Sequence, residues 1–293
     1  MIDVILSELG ETAAGPDVIV GPGDDASVVR LPPDETLVTS IDALLADVHF
    51  PASAPAELIG YRALMVSLSD LAAMGARASD VLVSLTLTDA DPGWVQMLTR
   101  GMAAAARVAG VRIVGGNLSR GPVALHVCVH GYAPADDLLK RSSARVGDRI
   151  YVTGSLGGAA AALRRGGLDD PDLELDELSR AYFQPRARLE QGLLLRGIAS
   201  AALDVSDGLL QDLGHLISAS QVGATIDSKN LPIASDASRN DALAGGDDYE
   251  LLFTSAKPLP DLYIPVSEIG EIVSAGGIRV DGEPVDPAGY QHF

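Results

Sequence analysis

Two alternating periods constrain the first half of this chain more than any other feature. TLVTSID (36–42), DVLVSLTLT (80–88), VRIVGG (111–116) and PVALHVCVHGYA (122–133) are apolar, β-branched runs that read as strands. Between them, PAELIGYRALMVSLSDLAAMG (55–75) and PGWVQMLTRGMAAAARVAG (92–110) carry long helical patterns. Strands separated by helices of this length imply crossover units and an α/β fold. DASVVRL (25–31) reads as a further strand, and Gly75 is placed to cap the first long helix, which contains Gly60.

A polar, turn-rich stretch, PADDLLKRSSARVGD (134–148), interrupts this series. It divides the chain into an expected N-terminal domain, residues 1–138, and a C-terminal α/β domain, residues 139–293. The second series opens with RIYVTGSLGG and continues with a helix over about 177–199, the strand AALDV, a helix over 207–220, and the strands GATID and DYELLFT. The tail after 255 reads as short and less regular. GDDASVV at 23–29 is echoed by GDDYELL at 246–252, and SDLAAMG at 69–75 by SDGLLQDLG at 206–214, in reversed order. Echoes this short are only a hint of shared chemistry.

The charge balance narrows the function. With 21 Lys and Arg against 40 Asp and Glu, the net charge is −19, which disfavours nucleic acid and anionic membrane surfaces as partners. The acids are 29 Asp and 11 Glu, and none of the three lysines follows a glycine loop, so a P-loop is absent. Cys128 is the only cysteine, which excludes an internal disulfide and a cysteine-based zinc cluster; its setting in LHVCVHG reads as a buried strand thiol. The N-terminus has no basic n-region and no apolar run reaches a membrane span, so a soluble cytoplasmic protein is expected.

Aspartates at the ends of apolar runs need an explanation, because an unpaired carboxylate in such surroundings is costly. GDDASVV, TSIDALLADVHF, VSLSDLAAMG and ALDVSDGLLQDL all pose the problem. Taken singly, each Asp is an ordinary N-cap or turn former. Four such segments together suggest an oxygen-only cage suited to Mg²⁺ or Mn²⁺, through which an acidic protein can hold a polyphosphate.

GPGDDASVV, TSIDALLADVHF, IGYRALMVSLSDLAAMGA, GGNLSRGP, RSSARVGDRIYVTGSLG, LDVSDGLLQDLGHL, LAGGDDYELLFT and the terminal GYQHF follow one another in the order and approximate spacing of a known family. The chain resembles the thiamine-monophosphate kinases, within the superfamily that contains aminoimidazole ribonucleotide synthetase. The resemblance implies ATP-dependent phosphorylation of thiamine monophosphate with several Mg²⁺ ions. It also implies a homodimer whose N-terminal domains pair their sheets into a β-barrel.

Carried over by position, the resemblance implies metal ligation by Asp25, Ser40, Asp42, Asp70, Asn117, Asp204 and Asp207. It implies ATP contacts at Gly116, Asn117, Arg141 and Ser206, and substrate contacts at His49, Asp247 and Tyr290, with Asp24 orienting the first loop. No residue is expected to act as a nucleophile or proton carrier. Three departures stand out. Asn117 replaces an Asp in GGD and removes a charge from the cage; Asp247 replaces a Glu; Ile41 replaces a hydroxyl residue between Ser40 and Asp42. The competing readings are another ATP-using enzyme of the same superfamily, and a binding protein whose catalysis Asn117 has weakened.

Overall fold

The computed structural model describes residues 1–89, 91–274 and 276–291 and divides into two compact units. Unit 1 comprises Met1–Leu71, Arg77–Ala135 and Gly166–Glu174; unit 2 comprises Ala72–Ala76, Asp136–Arg165 and Leu175–Phe293. His292 and Phe293 of the GYQHF motif lie outside the described residues. Among the described residues, no helix is long and apolar enough to cross a membrane.

Unit 1 runs through α1 (Ile2–Leu9), β1 (Val18–Val20), β2 (Val28–Val29), β3 (Thr36–Leu45), α2 (Ala56–Ala73), β4 (Arg77–Leu87), α3 (Pro92–Ala109), β5 (Arg112–Arg120) and β6 (Ala124–Ala133). The last four strands form a sheet in the order β3-β6-β4-β5, with β4 and β5 parallel and joined by α3. Helix α3 starts where Asp91 accepts the Gly93 N–H, with Pro92 in the first turn, and stops at Gly110, whose φ of 71° suits glycine. Ile59, Leu64, Leu68 and Leu71 of α2 and Val95 and Leu98 of α3 are buried, as are Val81, Leu125, Val127 and Val129 of the sheet.

The two long helices meet through glycine. A Cβ built on Gly60 would lie 2.0 Å from the Leu98 carbonyl oxygen, and one on Gly101 would lie 1.8 Å from that of Glu57. Gly60 interrupts a helical pattern because the backbones come too close for any side chain.

Unit 2 contains β7 (Arg149–Thr153), α4 (Gly158–Arg165), α5 (Glu177–Phe183), α6 (Leu189–Leu194), β8 (Ala201–Asp204), α7 (Leu209–Ser220), β9 (Gly223–Ile226), α8 (Arg239–Ala244), β10 (Leu251–Ser255), β11 (Val266–Val273), β12 (Gly277–Val280) and β13 (Glu283–Val285). Seven strands form one sheet in the order β13-β12-β9-β11-β7-β10-β8, and only the β12–β9 pairing is parallel. Both faces are covered. Leu203, Leu252 and Ile272 pack with Leu209, Leu213 and Leu216 of α7 on one side, and Ala202, Leu251 and Phe253 pack with Leu195 on the other.

The structure revises several readings. The helix over 177–199 is two helices, because Pro185 cannot donate to a continuing helical ladder and leaves Gln184 to end α5. The tail after 255 supplies three strands of the large sheet. DASVVRL shrinks to the two residues of β2. The mixed α/β fold in two units agrees with the sequence.

Candidate functional site

In unit 1 the acids come from a turn, a strand and a helix end. Asp24 turns its carboxylate back onto its own loop, accepting the Asp25 N–H at 2.8 Å, while Asp25 stays exposed. Ser40 and Asp42 share one face of β3, two residues apart, and Ile41 points to the opposite face with 65% of its surface exposed. Asp70 sits in the last turn of α2 and accepts the Ser40 hydroxyl at 2.5 Å. Asp42 titrates above its ordinary range, first because it is buried and second because of the Asp70 charge. None of the ion pairs among the described residues engages Asp25, Asp42, Asp70 or Asp207. Ser40, Asp42 and Asp70 thus form a small oxygen cluster of two carboxylates and a hydroxyl, chemistry that suits a hard divalent ion.

A cavity of about 870 Å³ opens beside this turn. Asp24, Asp25, Gly116 and Asn117 line it together with the apolar side chains of Ile5, Leu6 and Met102. Asn117 lies on β5 opposite Ser84 of β4 and is exposed. A Cβ on Gly116 would lie 1.9 Å from the Val83 carbonyl oxygen, so this glycine is required by strand packing as well as by the cavity. His49, in the turn after β3, accepts the Leu45 N–H on Nδ1 at 3.1 Å, which fixes the ring.

In unit 2 the predicted residues converge on the turn between β8 and α7. Asp204 ends β8 and is 4% exposed, and Ser206 and Asp207 follow it. The turn is shaped by Asp212, which the sequence reading passed over as a helix position. One of its oxygens, Oδ2, accepts the N–H groups of Ser206, Asp207 and Gly208, each at 3.0 Å. Burial, then the neighbouring Asp207 charge, push the Asp212 pKa up to about 7 against the lowering effect of those three donors. Asp207, Asp212 and His215 are the only three such groups among the described residues whose ligating atoms lie within 4.8 Å of one another.

The GGDD turn is strung onto the same segment. Asp247 donates its N–H to the Ser206 carbonyl and Tyr249 donates its own to the Val205 carbonyl, both at 2.8 Å. Asp247 and Tyr249 adopt left-handed φ values of 70° and 52°, and the Tyr249 hydroxyl donates to Asp247 Oδ1 at 2.9 Å. Asp248 accepts the Gly157 N–H on both carboxylate oxygens, at 2.8 and 3.0 Å, and burial raises its pKa well above the usual carboxylate range. Tyr290 donates its backbone N–H to the Asp207 carbonyl at 2.9 Å.

Unit 2 therefore brings together Asp204, Ser206, Asp207, Asp247 and Tyr290. Arg141 stands apart from them within that unit: its carbonyl accepts the Ser220 hydroxyl at the far end of α7. That helix has 12 residues, a rise of about 18 Å.

Cys128 is not the buried thiol the sequence suggested. It is half-buried on the sheet face away from the helices, because β6 places alternate residues there. Its Sγ lies 3.7 Å from His130 Nε2, and His130 Nδ1 lies 2.9 Å from Asp80. Burial and then the Asp80 charge raise the thiol pKa, which keeps the sulfur protonated and a poor nucleophile.

Residues 23–133 match the family model for the N-terminal domain of AIR synthase related proteins, and residues 145–283 match the one for the C-terminal domain. The thiamine-monophosphate kinase of Escherichia coli K12 is 39% identical over 302 residues, covering 94% of this chain and 93% of that protein. The crystal structure of thiamine-monophosphate kinase from Stenotrophomonas maltophilia K279a superposes with a TM-score of 0.89 at 39% identity, over 97% of this chain and 96% of that one. A structure described as AaThiL complexed with AMPPCP and TMP gives a TM-score of 0.84 at 30% identity, over 100% of this chain and 96% of that one.

Proposed function

The chain belongs to the thiamine-monophosphate kinases of the AIR synthase related family, and from that premise we propose the chemistry its residues perform. It is an ATP-dependent kinase that transfers the γ-phosphoryl group to the phosphate of thiamine monophosphate, giving thiamine diphosphate and ADP. The observation that carries this reading at the level of the site is a cavity of about 870 Å³ in unit 1 with Asp24, Asp25, Gly116 and Asn117 on its wall; the Ser40–Asp42–Asp70 oxygen cluster of the same unit supports it. Such a cavity has the size of a small-molecule site.

Within unit 1, Asp25, Ser40, Asp42, Asp70 and Asn117 would hold Mg²⁺, and within unit 2 Asp204 and Asp207 would do the same; the ion when bound neutralises charge on the phosphates. The remaining work is positioning. Gly116 and Ser206 are read as nucleotide contacts, and Arg141 as a guanidinium for a phosphate. His49, Asp247 and Tyr290 are read as contacts to thiamine monophosphate, whose cationic ring suits a carboxylate and an aromatic. We read the working species as a cytoplasmic homodimer.

The acceptor phosphate is already a competent nucleophile, so transfer is direct and in line, with no phosphorylated protein. The protonated Cys128 thiol fits this reading. The test is incubation with ATP, Mg²⁺ and thiamine monophosphate, with products resolved by chromatography. Thiamine diphosphate and ADP in equal amounts are expected. A stable labelled protein from γ-labelled ATP, or turnover only on a different acceptor, would overturn the proposal.

Asn117 favours a second reading, in which binding is retained and turnover is slow. Asn117→Asp restores a charge and should raise kcat about tenfold, the scale on which metal-site partners act. Equal rates for the two forms would remove that reading.

A further inference from the structure

We propose that Gln211 is a positioning residue that latches the C-terminal tail, and Tyr290 with it, onto the Asp204–Gly208 turn. Gln211 lies in the first turn of α7. Its Nε2 amide donates to Asp207 Oδ2 at 3.1 Å and to the Tyr290 carbonyl at 2.6 Å, so one nitrogen uses its two hydrogens to join the carboxylate to the tail. The Tyr290 N–H returns to the Asp207 carbonyl at 2.9 Å.

Packing along the helix supports the same docking. A Cβ on Gly289 would lie 2.5 Å from the Asp207 carbonyl oxygen and 2.7 Å from Gln211 Cβ, so only glycine lets the tail come this near. One turn further on, a Cβ on Gly214 would lie 3.1 Å from the Pro287 ring. The tail thus follows the Gln211–Gly214 edge of α7. Chain ends fray unless they are tied down, and the hydrogen bonds of Gln211 and Tyr290 supply the tie.

Neither Glu nor a hydrocarbon can replace Gln211. A glutamate has no hydrogen to give and faces the Asp207 carboxylate as a like charge, and an alanine leaves both acceptors without this donor. The functional consequence rests on the reading of Tyr290 as a substrate contact: Gln211 sets the affinity for thiamine monophosphate through the tail, without touching the substrate.

The test uses the full chain. Gln211→Ala should raise KM for thiamine monophosphate about tenfold, the scale of one lost hydrogen bond, and should raise it by a larger factor than KM for ATP. Gln211→Glu should act in the same direction and more strongly. Tyr290→Ala added to Gln211→Ala should raise KM no further, because the two changes break one device.

Hydrogen exchange at the Tyr290 amide reads the latch without any activity. It should accelerate about tenfold or more in Gln211→Ala, while the Leu213 and Leu216 amides keep their protection. Unchanged Tyr290 exchange would overturn the latch. Faster exchange with unchanged KM, or KM effects that multiply in the double variant, would overturn its substrate role. If the wild-type chain fails to turn over thiamine monophosphate, the proposed function falls while the exchange experiment still decides the latch.

Discussion

Replacing Arg188 with methionine should be among the most damaging single changes available in unit 2. Arg188 grips Glu250 with two nitrogens, Nε on Oε2 at 2.7 Å and a terminal nitrogen on Oε1 at 2.5 Å, and Thr153 adds a hydroxyl to Oε2 at 2.6 Å. Both side chains are largely removed from water, at 17% and 8% exposure. The room for this carboxylate comes from Gly154, where a Cβ would lie 2.0 Å from Oε1. Methionine leaves the Glu250 carboxyl buried with one hydroxyl for a partner, a change that costs about 3–5 kcal/mol. For a unit of this size that lowers Tm by roughly 10 °C.

Urea unfolding at constant slope would measure the loss, and a cycle with Glu250→Gln would separate the pair from its parts. The double variant should recover about 2 kcal/mol or more relative to additivity, because an amide tolerates the missing cation better than a carboxylate does. A single-variant loss below about 1 kcal/mol, or strict additivity in the cycle, would show that solvent reaches the pair and that the reasoning from burial is wrong.

Two further outcomes can be measured on the same protein. Gly101→Ala forces α3 away from the Glu57 carbonyl, so it should destabilise by about 1–3 kcal/mol despite alanine's better helix propensity, read as a lower Tm. The Asp248 carboxyl has an ordinary value of 3.8, which burial raises well upward in the folded chain. The folded state then holds a proton that the unfolded state releases, so this group makes stability fall as pH rises from about 4 toward the raised value. Asp248→Asn should flatten that fall in urea titrations at stepped pH; an unchanged slope would assign it to other groups.

The long elements were legible because their periodicity is local. β3, α2, β4, α3, β5 and β6 lie close to where TLVTSID, the two helical patterns and the three later runs place them. What sequence concealed is of three physical kinds. Pro185 divides α5 from α6 through a missing N–H whose effect outranks the apolar pattern on either side. The strands β12 and β13 are short, and β11 breaks its register with a bulge near Ile269, so tertiary pairing, not propensity, defines them. Gln211, Asp212 and the Arg188–Glu250 pair act across turns or over 62 residues of chain, and no spacing rule announces them. The acids themselves were visible, since an Asp at the end of an apolar run contradicts its surroundings. What Asp212 does there was not visible: an acid that folds a turn and an acid that meets a cation look the same in one dimension.

The four-stranded sheet of unit 1 ends on β3, a ten-residue strand whose outer side pairs with no strand among the described residues and whose Leu37, Ile41 and Leu45 are 50%, 65% and 41% exposed. A long apolar edge of this kind is a template for another strand, and natural proteins cover or blunt it. In the homodimer proposed above, a second copy supplies the cover, and protein concentration then acts on folding as a ligand would. Unfolding midpoints should rise with total protein, and dilution should loosen β3 first. In a cell, the interval between synthesis and pairing becomes the time when this chain is most exposed to misassociation.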